Sequence, residues 1–233
     1  MRYRVFFEEM GAKAPPEQAK LGLDMDEFDS ICDHLLVIDH QLPAEEAVVG
    51  TYRMLREEVA IKNDGFYSAA EYDLSALFMG RDEDIIRQHG QFVEVGRSCV
   101  RAEYRSNAII QHLWRGLAAY VKQHSASYIF GCASLEGTNP QDHALALSYL
   151  HHNFAAPDDL CVFALPSRHV EMNMMPADQI RERDAIRLLP PLIKGYLRVG
   201  CYIGDGAVVD EEFGTTDVFI LAATARIPDK YFA

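Results

Sequence analysis

The sequence predicts one α/β domain in which a mixed, mostly antiparallel central sheet is flanked by helices. Three observations predict it. β-rich runs and helical patterns follow one another in the order β-β-(α)-β-α-β-α-β-β, which packs helices onto a mixed sheet. At the centre, Phe92–Val100 (FVEVGRSCV) leads through a basic loop into a strongly periodic helix. The 233 residues, 49% apolar and 24% charged, suffice for one sizeable core. Residues 1–233 are therefore read as a single domain, with 155–189 as an insertion or lid.

In chain order, residues 2–9 read as helical and 11–20 (GAKAPPEQAK) as a loop marked by Pro15–Pro16. Asp33–Val37 and Val48–Leu55 read as strands, with the acid-rich Gln41–Glu46 turning between them. Tyr67–Ala70 precedes a short helix around Leu74–Phe78. Gln91–Val100 is β-rich. Ser106 is the expected N-cap of a helix in which Ile109, Ile110, Leu113, Trp114, Leu117, Ala118 and Val121 recur at helical spacing. Tyr128–Ser134 reads as a buried strand, and Asn139–Pro140 opens a helix to about Asn153. The stretch 155–189 is irregular, polar and Met-containing. Gly195–Val199 and Asp217–Ala225 read as a closing antiparallel pair.

The net charge is −13, which sets a general nucleic-acid binder aside. No 18-residue apolar run is present, and the charged start MRYRVFFEEMG does not fit a signal peptide, so a cytoplasmic location is expected. The five cysteines are scattered without a CxxC and are expected reduced. Charge is uneven. Arg97, Arg101, Arg105, Arg115 and Lys122 share one stretch with a single acid, Glu103, whereas DMDEFD (24–29) holds four acids in six positions. Two such patches suit an anionic and a cationic ligand side by side, or are both solvated surface.

A helix N-terminus after a basic loop favours phosphate. Arg101, Arg105, Ser106 and Asn107 are the candidates there for a pantetheine phosphate, of coenzyme A or of an acyl carrier protein; the alternative is a plain strand–helix unit with surface arginines. No GxxxxGK[ST] and no Gly-rich turn is present. Glu94 interrupts an apolar strand, where a carboxylate is costly unless paired or functional. It is read as a base for an attacking amine, or as half of a structural pair with Arg97. Strict alternation sends residues 94 and 97 to opposite faces, so a shared site requires a bulge near Gly96. Asp24, Asp26 and Asp29 are candidates for a cationic substrate or for a helix cap. Arg53, inside VVGTYRML, faces an anionic partner or water. His143, His151 and His152 lack a metal-ligand pattern. Ser98–Cys99 reads as strand packing rather than a nucleophile. Met172, Met174 and Met175 suit an acyl contact or lid packing.

The chain also resembles the bacterial ornithine–acyl-carrier-protein N-acyltransferases, which make lyso-ornithine lipid and are related to acyl-homoserine-lactone synthases within the GNAT superfamily. The resemblance rests on RYRVFFEEMG (2–11), DMDEFDSICDHLLV (24–37), VVGTYRML (48–55), FYSAAEYDL (66–74), VEVGRSCV (93–100), LWRGL (113–117), IFGCASLEG (129–137), PPLIKGYLRVG (190–200) and DEEFGTTDVFI (210–220), which follow one another over most of the chain. The charged and aromatic positions of the lactone-synthase pattern look matched by Arg2, Phe6, Asp26, Asp29, Arg53, Glu94 and Arg97. The synthase tryptophan after the first helix has no counterpart; Ala12 stands near that place, which favours the lipid branch. The pattern's strand before the RxRVF motif also has no counterpart, so a GNAT-like sheet lacking its first strand is expected.

The resemblance implies a (3-hydroxy)acyl thioester on acyl carrier protein as donor, ornithine as acceptor, no metal and no permanently bound cofactor. It assigns Glu94 and Arg97 to catalysis, Asp24, Asp26, Asp29, Arg53, Arg2 and Phe6 to the acceptor, and Arg101, Arg105, Ser106 and Asn107 to the donor. An amphiphilic product implies contact with the inner membrane face. Two other readings stay open: a lactone-synthase-like or CoA-using N-acyltransferase, and a non-catalytic relative that binds acyl carrier protein or lipid.

Overall fold

A computed structural model describes residues 1–78, 84, 89–105 and 107–227. Its sheet runs in the spatial order β1-β2-β4-β5-β9-β8-β6-β3, and β7 pairs with β8. The strands are β1 Asp33–Ile38, β2 Val48–Arg56, β3 Tyr72–Asp73, β4 Gln91–Val100, β5 Ala126–Glu136, β6 Phe163–Ala164, β7 His169–Val170, β8 Tyr202–Asp210 and β9 Thr215–Ala223. Among these strands β4–β5 and β6–β8 pair parallel and the other pairs antiparallel. The parallel pair needs a crossover, and the helix α1, Asn107–Gln123, lies within that connection.

The sheet separates two cores, as period-2 alternation requires. One face carries Met54, Val93, Ile129, Leu135, Val218 and Ile220. It packs against α1 and against α2 Ala144–Phe154, α3 Glu182–Leu188 and α4 Pro191–Arg198. The other face carries Leu55, Phe92, Phe130, Phe219 and Leu221. It is covered by the single turn Glu57–Ala60 and by Phe66, Tyr72, Leu74 and Leu77. The stretch 155–189 supplies Val162, Ala164, Met172, Ala185 and Leu189 to these cores, each at most 4% exposed. The Ser148 hydroxyl ties it to α2, donating to Met172 O and accepting from the Met174 and Met175 amides.

Most expected elements form where the sequence puts them. Two do not. Pro15–Pro16 was expected within a loop, yet Pro16 begins a short helix, Pro16–Leu21; proline suits a first helical turn, where an amide has no partner. Gly195–Val199 was expected to be a strand and instead lies at the end of α4. Pro191 starts that helix, and Gly195 lets it approach Trp114, whose ring would stand 3.0 Å from an added Cβ. The true partner of β9 is β8, whose Gly204 and Gly206 look like a loop in sequence. Register shifts between Ile203 and Ala207, and Gly206 sits at φ 86°, which marks a bulge. No helix among the described residues is long and apolar enough to cross a membrane.

Candidate functional site

Two departures from regular pairing create the site. The first is between the parallel strands. β4 and β5 are paired from Gln91 to Glu94, opposite Ala126 to Phe130, yet both continue well beyond. At Gly131 the strands come so close that an added Cβ would lie 2.2 Å from Val95 O. Beyond it they part. The second is between β2 and β4, where pairing slips from Thr51–Cys99 to Arg53–Gly96. Arg97 takes the extra position, at φ 48°. The bulge required for residues 94 and 97 to share a site is therefore present, but the left-handed residue is Arg97 rather than Gly96. Such a conformation costs roughly 1–3 kcal/mol for a non-glycine.

Glu94 and Arg97 line one cavity of ≈ 250 Å³ together with Phe6, Arg53, Tyr67, Ser68, Glu71, Asp210, Phe213 and Asp217. Tyr52, Leu192 and Tyr196 border it from the helix side. An apolar opening adjoins it, lined by Val95, Trp114, Leu117, Val121, Ile129 and Ile220, with Val95, Cys132 and Tyr196 common to both.

Glu94 is 5% exposed. Its carboxylate accepts from the amides of Tyr67 and Ser68 and from the Ser68 hydroxyl. Burial pushes its pKa up, against the lowering effect of those hydrogen bonds and of the Arg53 charge. The expected Glu94–Arg97 ion pair does not form. Arg97 instead bonds Asp26 at 3.2 Å and lies 3.4 Å from Asp24. Its guanidinium stacks over the rings of Tyr67 and Phe213, at 5.0 and 4.8 Å.

The three aspartates serve a network. Arg2 reaches Asp24 at 2.6 Å and Asp29 at 2.5 Å, and Arg53 reaches Asp26 at 2.5 Å. Asp26 and Asp29 also form a capping box on the turn Glu27–Ser30. Burial opposes the ionised Asp29, yet the Arg2 hydrogen bond, the Asp26 amide and the charges of Arg2 and Arg53 hold it down at about 2. The capping expectation for this segment is met, and its three aspartates are ion-paired with Arg2, Arg53 and Arg97, while Glu27 is exposed. Arg2 stands behind these aspartates, outside the wall of the cavity. Phe6 lines the cavity, edge-on to Phe213.

The donor candidates are also bound within the chain. Arg101 donates to Glu46 O and to Glu103, and Arg105 donates to Val100 O and to Glu9. Asn107 begins α1, and Ser106 lies outside the described residues. Of the expected basic stretch, Arg115 and Lys122 are the exposed members on α1.

Sequence reasoning missed the opposite wall. Glu71 and Asp217 are each 7% exposed. Burial and the nearby Asp217 charge push Glu71 up to about 7, with Arg168 opposing. Burial also lifts Asp217 to about 6, with the Thr215 and Ser134 hydroxyls opposing. The signal for Asp217 was weaker than for Glu94, because Asp217 follows two threonines at the start of its strand rather than interrupting an apolar run. The Ser98–Cys99 reading is consistent with a Cys99 thiol that burial raises to about 12.

Residues 1–115 match the family described as "Acetyltransferase (GNAT) domain". The chain is similar to the L-ornithine N(alpha)-acyltransferase of Brucella abortus (strain 2308), with 51% identity over 100% of this chain and 82% of that protein. It is similar to the protein of the same name from Agrobacterium fabrum (strain C58 / ATCC 33970), with 45% identity over 100% of this chain and 78% of the relative. Among solved structures it shares its fold with a CoA-dependent acyl-homoserine lactone synthase, BjaI, solved with SAM and isopentyl-CoA. There the TM-score is 0.52 and the identity 11%, over 99% of this chain and 74% of that one.

Proposed function

The chain belongs to the L-ornithine N(alpha)-acyltransferase family of GNAT-type acyltransferases, and on that premise we propose that it moves a (3-hydroxy)acyl group from acyl carrier protein to the α-amino group of ornithine. The observation that carries the chemistry is Glu94, a buried carboxylate beside the point where β4 and β5 part, in the wall of a cavity that adjoins an apolar opening.

In this reading the acyl thioester enters the opening between the strands, and the amino acid occupies the polar cavity. Glu94 takes a proton from the α-ammonium, directly or through water. Its raised pKa suits it to that task better than an exposed glutamate. The free amine attacks the thioester carbonyl; a C–N bond forms and the C–S bond breaks. The second nitrogen proton goes to the departing thiolate, and no covalent enzyme intermediate is needed. Backbone amides of Val95–Ser98, where β4 has left β5, are candidates to polarise the carbonyl oxygen. Arg97 and Arg53 close the cavity on the acceptor's side and offer positive charge to its carboxylate.

Acyl carrier protein as donor is supported by the absence of a Gly-rich phosphate turn and by exposed Arg115 and Lys122 on α1. The internal bonds of Arg101 and Arg105 weaken their part in it. A cytoplasmic enzyme working at the inner membrane face fits an amphiphilic product.

The test combines lipid mass spectrometry of cells expressing the chain with a purified assay. The purified assay sets acyl carrier protein against coenzyme A as donor, and ornithine against S-adenosylmethionine as acceptor. N-acyl ornithine is expected from the wild type, with Glu94→Gln lowering kcat by roughly 100-fold or more. No N-acyl amino acid, or a fully active variant, would overturn the reading.

A further inference from the structure

We propose that Glu71 and Asp217 form the seat for the acceptor's side-chain ammonium and so select a diamino acid over one with an uncharged side chain. The proposal rests on ornithine being the acceptor.

The cavity is lined by four carboxylates, those of Glu71, Glu94, Asp210 and Asp217, and by two guanidinium groups, those of Arg53 and Arg97. Both arginines are already paired with aspartates behind them. Arg168 reaches Glu71 at 3.3 Å from a partly exposed position, and Cys132 Sγ lies 3.5 Å from the other Glu71 oxygen. Asp210 is occupied by the amides of Glu212 and Phe213. Asp217 is different. It is 7% exposed, the Thr215 and Ser134 hydroxyls lie near it, and its Oδ1 has no well-aligned hydrogen bond among the described residues. A buried carboxylate oxygen without a donor is costly. Asp217 lines the cavity beside that buried oxygen. The carboxylates of Glu71, Glu94 and Asp210 in the same wall make a cation the favoured ligand there.

Position fits as well. Ser134 lies opposite Asp217 in the β5–β9 register, and Phe130 lies opposite Glu94 in β4–β5, so all four point to the same face of the sheet. From Glu71, a chain of contacts through Cys132 and Ser68 leads to Glu94, with steps of 3.5, 3.6 and 2.5 Å. The two nitrogens of ornithine are separated by four carbons, which suits one amine at Glu94 and the other at Glu71 and Asp217. In the segment DMDEFD, the other acidic candidate, the three aspartates are bonded to Arg2, Arg53 and Arg97 and Glu27 is exposed.

Two measurements on the full chain test the seat. Calorimetric titration compares ornithine with norvaline, the same amino acid without its side-chain amine, and needs no turnover. The ratio of kcat/KM for the two acceptors reads the same preference during transfer. Two charged contacts at roughly tenfold each predict a preference for ornithine of about 100-fold. Asp217→Asn and Glu71→Gln should each lower the ornithine-to-norvaline ratio about tenfold, chiefly through KM for ornithine. Circular dichroism identifies which variants are folded, and either alone suffices. A folded variant that keeps the full preference overturns the seat while ornithine acylation stands. A wild type that binds both acceptors equally also overturns it. Ornithine bound with the expected preference but never acylated supports the seat and removes the acyl-transfer reading.

Discussion

Replacing Asp26 by Asn separates two roles that sequence alone leaves open for this residue. In the structure Asp26 Oδ1 bonds Arg53 at 2.5 Å and the Phe28 amide at 3.0 Å, while Oδ2 bonds Arg97 at 3.2 Å. The Arg53 side chain is 5% exposed, and its next carboxylate, Asp29, stands at 3.6 Å. Asn can keep the cap but loses the charge, and its NH₂ group meets guanidinium donors. Breaking a buried pair from one side costs about 3–5 kcal/mol; with Asp29 still near, about 2–4 kcal/mol is expected. For a chain of this size that lowers Tm by roughly 5–15 °C. Urea denaturation at pH 7.5 should show a lower midpoint with an unchanged slope. Asp26→Asn combined with Arg53→Gln should cost less than the sum of the single changes. If Asp26 instead held the substrate, the variant would raise KM for ornithine and leave stability alone. A loss below about 1 kcal/mol would refute the network argument.

Asp217→Asn should stabilise the apo protein at pH 8. The folded-state pKa is raised from 3.8 to about 6, so the ionised side chain costs the fold at most about 3 kcal/mol. For such a raised carboxyl the native state holds the extra proton between about 4 and 6. Wild-type stability from this group therefore grows as pH falls through 6, and the Tm gap to Asn should close by pH 4; a gap that does not depend on pH contradicts the assignment. Gly131→Ala places a Cβ 2.2 Å from Val95 O and should cost about 2–4 kcal/mol along with activity. Gly96→Ala meets nothing within 4 Å and should stay within about 0.5 kcal/mol. Equal losses in the two would show that the close approach of β4 and β5 is not what constrains residue 131. Ser148→Ala strands the Met175 amide and leaves the Met174 amide and Met172 O with only each other; it should cost about 1–3 kcal/mol, with faster amide exchange at Met175. Unchanged exchange would mean that this stretch is anchored elsewhere.

The retained cost at Asp217 agrees with the proposed seat. A carboxylate that weakens the empty protein is tolerable where a ligand cation repays it. The left-handed Arg97 belongs to the same class of feature. Its bulge turns a strand residue into the cavity, and the rings of Tyr67 and Phe213 hold it there.

The sequence by itself determined the strands β1, β2, β4, β5 and β9 and the helix α1, because each carries its own periodicity within a few residues of chain. It also pointed to Glu94, since a carboxylate in an apolar strand is conspicuous without any knowledge of its surroundings. It misread Gly195–Val199, where the local run looks β-like and only Pro191 and the fit against Trp114 make it helical. What the tertiary structure decided is partnership. Whether Glu94 bonds Arg97 or the turn at Tyr67–Ser68, and whether DMDEFD meets a substrate or three arginines from residues 2, 53 and 97, depends on contacts between segments far apart in the chain. Charge is visible residue by residue; neutralisation is a property of neighbours in space. That is why the aspartates that stood out in sequence are ion-paired, and Asp217, at the start of its strand, is the buried carboxylate with a poorly bonded oxygen among the described residues.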